Sequence, residues 1–338
     1  PMRSMIARGV APLLAALLLT ACAAPTFKQP AIDTPAAFKE AGAEVKTAPD
    51  GSVWRVARQA EQQPRGEWWL AFQDPRLTEL VDEATRNNAS LAVAAARVKQ
   101  ARAIAGIAQA DRVPQVGLGV QAQRVRPAAQ TSYSASLSAS YEVDLFGRVG
   151  ANIEAARQDA GASEASYRSV LLSLQADVAQ TWFRLRALDA ELATVDSAVR
   201  LREESVRVNQ RRFDLGDIGE FDLTRARTEL SATRAEAIGL QRQRTNAEHA
   251  LAVLLGRPAA RFTAITSPLP DTVALPAIPA GLPSSLLERR PDIAAAQRAM
   301  EAANARIGVA RAAMFPALSL NAAGGGVGGT MADVFNWS

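Results

Sequence analysis

The sequence has one cysteine and one histidine among 338 residues, and this scarcity excludes several kinds of site. With Cys22 as the only cysteine, no disulfide bond can form within the chain. His249 is the only candidate base for a Ser-His-Asp triad and the only imidazole for a metal site, which needs several ligands. It follows Glu248 within a helical pattern, so we interpret it as an ordinary helix residue.

Aromatic residues are also sparse, at 5% of the chain, and the basic residues are not clustered. The 38 Lys and Arg residues are interleaved with 34 Asp and Glu residues, and the formal net charge is +4. Nucleic-acid binding requires grouped positive charge and stacking aromatic rings. Interleaved charges are instead typical of solvated helix faces, so no nucleic-acid partner is predicted.

Three short motifs could suggest chemistry, but each has a simpler structural explanation. Glu142 and Asp144 lie on one side of a strand pattern, and we interpret them as solvated acids along an aqueous lumen. The glycine-rich residues 324–329 lack the Gly-Lys-Ser/Thr of a phosphate-binding loop and predict a turn. Residues 289–292 could bind an anion, but Pro291 suits the first turn of a helix and favours a helix junction. The sequence predicts no enzyme activity, no cofactor and no metal.

The amino terminus has the pattern of a secretory signal. Arg3 and Arg8 precede the apolar residues 10–19, a run too short for a membrane-spanning helix of ~20 residues. The following Leu-Thr-Ala-Cys, which ends at Cys22, resembles the bacterial lipobox. That resemblance implies a mature chain beginning at Cys22, with a diacylglycerol and an acyl lipid attached to it. Ala23 in the next position implies sorting to the outer membrane.

A thirteen-residue alternation runs from Tyr133 to Leu145 and predicts a strand with one apolar and one polar face. Its length suits a tilted membrane strand of ~9–11 residues, although a strand of a soluble sandwich has a similar pattern. An apolar face belongs in hydrocarbon and a polar face in water. The residues predicted to face lipid are Tyr133, Leu137, Tyr141 and Val143. The residues predicted to face the lumen are Ser136, Ser138, Ser140 and Glu142.

Long helices flank this strand. Residues 116–122 alternate in the same way, which predicts a β-hairpin, and a helix over 91–111 precedes them. Residues 151–212 contain no proline and one glycine, and as a helix they would extend roughly 90 Å. The glycine-containing residues 215–222 break this helix, and Asp222 is predicted to cap a return helix that ends near Gly256. The pattern predicts a long antiparallel helical hairpin.

The sequence also contains an internal repeat. With an offset of 202 residues, residues 88–120 align with 290–322, including a shared glycine (Gly106 and Gly308) and a shared helix-ending proline (Pro114 and Pro316). By this offset a second hairpin would occupy about 353–458, whereas the sequence ends at Ser338. We therefore expect the second repeat to be incomplete, as in a fragment of a longer protein.

Several motifs, in order, resemble those of the outer-membrane efflux factors, the TolC-like exit ducts. The similarity is closest to their lipoprotein branch, which serves resistance-nodulation-division pumps. The residues that carry it are 74–77 (Asp-Pro-Arg-Leu), 94–98 (Ala-Ala-Ala-Arg-Val), 141–148 (Tyr-Glu-Val-Asp-Leu-Phe-Gly-Arg), 212–217 (Arg-Phe-Asp-Leu-Gly-Asp), 250–256 (Ala-Leu-Ala-Val-Leu-Leu-Gly) and 282–293 (Leu-Pro-Ser-Ser-Leu-Leu-Glu-Arg-Arg-Pro-Asp-Ile).

This resemblance implies an α+β membrane fold in a homotrimer. Each repeat would give two strands to a transmembrane β-barrel and one long hairpin to a helical barrel that crosses the periplasm. The expected partners are outer-membrane lipid, a periplasmic membrane-fusion adaptor and an inner-membrane resistance-nodulation-division pump. The residues expected to close the tunnel and dock the adaptor are Leu215, Gly216, Asp217, Ile218 and Gly219.

The patterns and the resemblance together predict seven segments. These are a signal peptide (1–21), an extended lead-in (22–66), two helices of the first repeat (67–112), the barrel hairpin (113–147), the periplasmic helical hairpin (148–256), a proline-rich connector (257–283) and the start of the second repeat (284–338).

The predicted function is that of a passive outer-membrane duct of a tripartite pump, which exports small molecules. Two alternatives remain open from the sequence. One is a periplasmic adaptor or structural lipoprotein that uses its hairpin for docking, and the other is the duct of a type I protein secretion system.

The lipobox gives a direct test. We expect metabolic labelling with a palmitate analogue to mark the wild-type protein and to leave Cys22→Ser unmarked, because the thiol is the site of acylation. Equal labelling of both proteins would contradict the assignment.

Overall fold

The computed structural model describes residues 26–31, 67–125, 130–270, 276 and 290–335. The α-helices in this part of the chain are α1 (Pro75–Asn87), α2 (Ala89–Ala110), α3 (Arg148–Asp214), α4 (Glu220–Leu254) and α5 (Pro291–Ala312). The strands are β1 (Gln115–Val125), β2 (Gln130–Val143) and β3 (Leu318–Gly328). Short 3-10 turns cover Trp68–Phe72, Ala259–Arg261 and Asp333–Phe335. Cys22 and the predicted signal segment lie outside the described residues.

The chain divides into two compact units. One unit comprises residues 1–34, 95–167 and 287–338 and contains the three strands. The other comprises residues 35–94 and 168–286 and contains α1 and the greater part of the helical hairpin. The mostly helical architecture with a few antiparallel strands confirms the predicted fold class.

Helix α1 begins at an Asp-Pro pair, residues 74–75. The Asp74 carboxylate accepts hydrogen bonds from the backbone N–H groups of Arg76 (3.0 Å) and Leu77 (3.1 Å), and Pro75 occupies the first helical position. An Asp cap and a proline at this position are both favourable because the first N–H groups of a helix have no partner within it. The apolar residues of α1 recur at helical spacing on one buried face. They are Leu77, Leu80, Val81 and Ala84.

Helix α3 is 67 residues long, which corresponds to about 100 Å. In the strand-containing unit its first turns pack against α2 through the apolar cluster of Ala108, Val149, Ile153 and Ala156. Ion pairs connect Arg102 of α2 with Glu164, and Arg306 of α5 with Asp159. Both repeats therefore contribute one helix to the packing around the start of α3.

The internal repeat is visible in the structure. Helix α5 begins and ends 202 residues after α2, since Pro291 follows Ala89 and Ala312 follows Ala110 by that distance. Strand β3 begins 203 residues after β1, so the strands differ from this offset by one residue. Arg290 has the extended conformation expected before a proline (φ −73°, ψ 122°), and its guanidinium pairs with Asp292. A hydrogen bond from Arg290 lowers the pKa of the Asp292 carboxyl.

Two predicted boundaries are wrong in detail. Strand β2 ends at Val143, so Asp144 and Leu145 lie beyond the strand. Asp144 instead accepts backbone hydrogen bonds from the start of α3, which takes it out of the strand. Helix α4 begins at Glu220 with Gly219 at the cap position, so Asp222 lies within the first turn and does not cap the helix.

None of the helices in the described ranges combines the length and the apolar character that a membrane-spanning helix needs.

Gly161 of α3 gives a test of the packing between the repeats. A Cβ atom at this position would lie 2.6 Å from Nη1 and 2.9 Å from Cδ of Arg298 in α5. Relative to Gly239→Ala, we expect Gly161→Ala to be destabilising by only about 0.5 kcal/mol, because both changes gain helix propensity but the exposed Arg298 side chain has to move aside for the new methyl group. Thermal unfolding of the purified variants measures the effect.

The matched control is Gly239→Ala in α4, where no atom lies within 4 Å of the added Cβ. This control should stabilise the protein by up to ~1 kcal/mol, since alanine is the better helix former. In an Arg298→Ala background, Gly161→Ala should behave like the control. A destabilisation that persists in that background would contradict the proposed contact.

Candidate functional site

The three strands form one antiparallel sheet in the order β1-β2-β3, and its register aligns the apolar residues of all three strands. Leu137 of β2 lies opposite Leu118 of β1, and Tyr141 lies opposite Leu320 of β3. Leu118 is 76% exposed, Leu137 56% and Leu320 55%, although they form one continuous face. A contiguous exposed apolar surface of this kind is typical of a face that contacts something other than water.

The opposite face is built from serine, glycine and amides. Ser138 lies opposite Gly117, and Ser136 lies opposite Gly119. A Cβ atom on either glycine would lie 3.1–3.2 Å from the facing serine Oγ, so these glycines leave room for the hydroxyl groups. At the other end of β2, Ser140 faces Asn321. The structure thus brings the four residues predicted to face the lumen together on one polar face. Whether that face lines a lumen stays a prediction.

Two tyrosines mark the ends of the apolar face. Tyr133 and Tyr141 are eight residues apart on β2, which is about 26 Å along a strand. Only Ala135, Leu137 and Ala139 lie between them on that side. A strand tilted by ~40° would place the two rings roughly 20 Å apart in height, close to the ~25 Å apolar band between the aromatic girdles of membrane barrels.

A tight elbow, residues 144–147, converts β2 into α3. The Asp144 carboxylate accepts hydrogen bonds from the N–H groups of Val149 (3.0 Å) and Gly150 (2.7 Å). Gly147 has φ +74°, a left-handed conformation that residues with a Cβ rarely adopt. The carboxylate satisfies backbone donors that the first turn of α3 would otherwise leave unpaired. A strand with paired backbone therefore becomes a capped helix within four residues.

Two further contacts hold the elbow. The Arg148 guanidinium donates two hydrogen bonds to the Glu142 carboxylate, one of them from Nε to Oε1 at 2.7 Å. The Phe146 ring stacks on Phe315, with ring centroids 4.7 Å apart and an interplanar angle of 16°. Phe315 follows α5, so this stack joins the elbow of the first repeat to the end of α5 in the second repeat.

In the other unit, a buried ion-pair cluster fastens residues 262–270, which we name the strap, to the helical hairpin. Arg244 of α4 donates to Asp189 of α3 at 2.6 Å and to the Ala264 carbonyl at 3.2 Å, and it also pairs with Glu248. The second oxygen of Asp189 accepts from the Ser267 N–H at 2.9 Å. Burial opposes the charge of Arg244, but hydrogen bonds with Asp189 and Glu248 raise its pKa overall, so the guanidinium remains charged.

A second cluster joins the strap to the start of α1. Asp74 accepts hydrogen bonds from the Trp182 indole and from Arg186, both at 2.9 Å. Arg186 also donates from Nε to the Ser267 carbonyl at 3.2 Å, and its own carbonyl accepts from the Leu269 N–H at 3.1 Å. Asp74 therefore caps α1 and binds the middle of α3 at the same time.

Beyond the strap, the hairpin is held by fewer buried side chains. The apolar contribution of α4 in this region comes from Leu223, Leu230 and Leu240. Ion pairs between the two helices, Arg202 with Glu229 and Arg234 with Glu203, have side chains 44–55% exposed. Exposed pairs contribute only ~0–1 kcal/mol each. This part of the hairpin is consequently less stabilised than the part beneath the strap.

The predicted tip residues form the reversal between α3 and α4. Gly216 has φ +74°, and the Asp217 N–H donates to the Arg212 carbonyl at 2.8 Å, which is a Schellman cap. The Arg212 side chain pairs with Asp217 across the turn at 2.6 Å. Leu215 is 84% exposed, while Gly219 has an ordinary extended conformation (φ −81°). The tip thus combines a conformationally strict glycine with an exposed apolar side chain.

The roles of Asp144, Asp189 and Arg244 are not predicted from the sequence. The elbow role of Asp144 had a signal, namely an aspartate placed just before a helical pattern, but the alternation of β2 obscured it. The partners Asp189 and Arg244 are 55 residues apart and have no short-range signal. His249 is exposed, and across the described ranges no three His, Cys, Asp or Glu side chains are grouped closely enough to hold a metal ion.

Comparisons with known proteins give consistent matches. The family model for the outer membrane efflux protein matches residues 80–257 and 282–336. The pyoverdine export outer membrane protein OpmQ of Pseudomonas putida is 33% identical over 335 residues, covering 95% of this chain and 68% of the relative. The cation efflux system protein CusC of Escherichia coli K12 is 32% identical over 333 residues, covering 97% of this chain and 70% of the relative.

Solved structures give the same result. The outer-membrane channel OprN matches with a TM-score of 0.78 and 29% identity, covering 93% of this chain and 69% of that one. The CmeC outer membrane channel of Campylobacter jejuni matches with a TM-score of 0.75 and 25% identity, covering 91% and 66% of the two chains.

The buried cluster of Arg244 gives a test of how the strap is held. We expect Arg244→Met to destabilise the protein by about 3–5 kcal/mol, because it leaves the buried Asp189 carboxylate without its cation. The matched control is Arg202→Met, which breaks an exposed pair and should cost at most ~1 kcal/mol. Chemical denaturation measures both, and equal small effects would show that the cluster contributes little.

Proposed function

This chain belongs to the outer membrane efflux protein family, and from that membership we propose a mechanism for its transport of small molecules. It is a channel component of efflux systems, located in the outer membrane and extending into the periplasm. In the proposed mechanism it is a passive duct without catalytic activity or energy coupling of its own. Solutes move through it after an inner-membrane pump has delivered them.

The observation that carries this proposal is the direct connection between the sheet and α3. A strand with one apolar and one polar face leads through a four-residue elbow into a helix of about 100 Å. An apolar face can contact lipid while the polar face contacts water, which is the arrangement of a water-filled membrane barrel. The same helix then carries the wall of the duct away from the membrane without a break.

The partners in the proposal follow from the same arrangement. Three copies of the full-length protein would close the barrel and the helical tunnel, and the tip would meet a periplasmic membrane-fusion adaptor. All transport and insertion assays of the duct are therefore made with variants of the full-length protein. A resistance-nodulation-division pump would supply the energy. Lipid attached to Cys22 would anchor the chain beside the barrel. The exposed Leu215 at the tip supports docking there, because an exposed apolar side chain on a rigid turn is suited to insertion between partner helices.

The relatives do not point to one substrate. Their names refer to pyoverdine export, cation efflux and toluene efflux. A water-filled lumen distinguishes solutes by size and charge, so we propose small molecules as the substrate class without assigning one compound.

Efflux assays with two glycine variants test the function and the tip together. In a strain lacking its own outer-membrane efflux channel, we expect the wild-type protein to lower the accumulation of an exported dye. Gly216→Val should restore efflux poorly, because a β-branched residue at φ +74° costs about 1–2 kcal/mol and distorts the turn. Gly239→Val is the control and should restore efflux, since Gly239 lies within α4 away from the tip, has no positive φ, and the space around its Cβ is open.

Protein amount and trimer formation are measured for both variants. Cross-linkers at Asp217 or Ile218 should capture the adaptor. Equal efflux by the two variants, or capture only by linkers elsewhere on the hairpin, would show that this turn is not the docking tip.

Adjacent residues of β2 test the orientation of the sheet. We expect Leu137→Arg to impair insertion into the outer membrane, because a charge on the lipid face costs ~2–4 kcal/mol near the midplane. Ser138→Arg should insert normally, because it adds the charge to the polar face. Membrane fractionation measures both. Single cysteines at these positions give a further test. If cysteines at 136, 138 and 140 react with lipid-confined probes and cysteines at 137, 139 and 141 react with water-soluble probes, the faces of the strand are the reverse of those assigned.

A further inference from the structure

A polar cleft of about 280 Å³ lies where the sheet meets the first turn of α3. Three of its residues, Gln115, Ser140 and Asn321, form one row across the polar face, because they are paired directly in the register. Glu142 and Ser319 form the next row, and Arg148 closes the cleft from the helix side. The cleft therefore combines neutral hydrogen-bonding groups with the Glu142–Arg148 ion pair and with the carboxylate of Asp111, which also lines it.

The polar face is otherwise without charge. Among its residues in the described parts of β1, β2 and β3, Glu142 is the only one with a charged side chain. The others are serine, glutamine, asparagine, glycine, alanine and valine. Arg148 supplies the opposite charge through its two hydrogen bonds to Glu142. The charge on this side of the sheet is thus concentrated at a single level, at the end of β2.

Both charged groups remain accessible to water. The Glu142 side chain is 25% exposed and the Arg148 side chain 45% exposed. Fixed charges act on passing ions over about one Debye length, which is ~8–10 Å at physiological salt. Glu142 and Arg148 neutralise each other, whereas Asp111 and Asp144, which also interact with the charge of Arg148, leave this level with an excess of negative charge. Removing one partner of the pair changes the charge of this level in a known direction.

We propose that Glu142 and Arg148 form a charge-selective layer at the junction of barrel and tunnel, and that their balance sets the relative passage of cationic and anionic solutes. The inference rests on the proposed function, since it requires the polar face to line the lumen. Rings of charged side chains set the charge preference of many membrane pores. Symmetry would repeat this pair around the axis of the duct, so each substitution would change the layer once per copy.

Ion permeability measures this directly. The protein is reconstituted in planar lipid bilayers under a potassium chloride gradient, and the reversal potential gives the ratio of K⁺ to Cl⁻ permeability. We expect Arg148→Gln to raise the ratio by at least about twofold and Glu142→Gln to lower it by at least about twofold, since a single unit charge at ~8 Å in water already changes the local concentration of an ion by that factor. The reciprocal exchange, Glu142→Arg with Arg148→Glu, should return the ratio towards that of the wild type.

The matched control is Arg102→Gln, which breaks the ion pair with Glu164 between α2 and α3, outside the sheet. It should leave the ratio unchanged. Because a broken pair could hinder assembly, a second route adds charge without breaking it. Ser140→Cys is modified with anionic or cationic methanethiosulfonates, which should shift the ratio in opposite directions. Wild-type protein treated with the same reagents accounts for any reaction at Cys22.

The outcomes are distinct. Opposite shifts for the two single variants, or for the two reagents, support the layer. If the variants conduct like the wild type and none of these charge changes alters the permeability ratio, the charge-selective layer is overturned. The proposed duct function is unaffected by that result. If wild-type protein inserts into the bilayer and forms no ion-conducting pore, the proposed function fails, and the charge-selective layer fails with it.

Discussion

The carboxylate of Asp144 is the point on which the architecture of the strand-containing unit depends. A strand in hydrocarbon has its backbone groups paired with neighbouring strands, whereas a helix leaves its first four N–H groups unpaired. Asp144 accepts from two of these N–H groups, those of Val149 and Gly150, directly after β2 ends. The direction in which α3 leaves the sheet is then fixed by Gly147 and by the Glu142–Arg148 pair.

In the other unit, two long helices are held together with little buried apolar area beyond the strap. The buried side chains of the hairpin in this unit are mainly leucines, and beyond the strap α4 contributes only Leu223, Leu230 and Leu240. The structure concentrates stabilisation at the level of the strap, where Asp189 and Arg244 are almost completely buried. A buried pair costs desolvation energy, but the loss of either partner costs more, so the cluster favours one alignment of the helices. Further along, the helices rely on exposed pairs that salt screens.

Most of the elements could be predicted from the sequence because they depend on local patterns. The alternation of β2, the Asp74-Pro75 start of α1 and the Gly216 reversal are short-range signals that the structure confirms, and the 202-residue repeat is found by aligning the sequence with itself. The strap cluster, the Trp182–Asp74 hydrogen bond and the Phe146–Phe315 stack could not, because their partners meet only after the chain has folded. The role of Asp144 was misread because a strand pattern and a helix cap overlap at one residue.

The strict alternation of β2 also limits how this gene can change in length. Each insertion or deletion of one residue within the strand would move every later side chain to the opposite face, so the leucine and tyrosines would change places with the serines. A change of two residues keeps the faces but moves the pairing with β1 and β3 by one repeat of the pleat. Indels of even length therefore keep the two faces of this segment, whereas a single added residue has to be accommodated as a β-bulge.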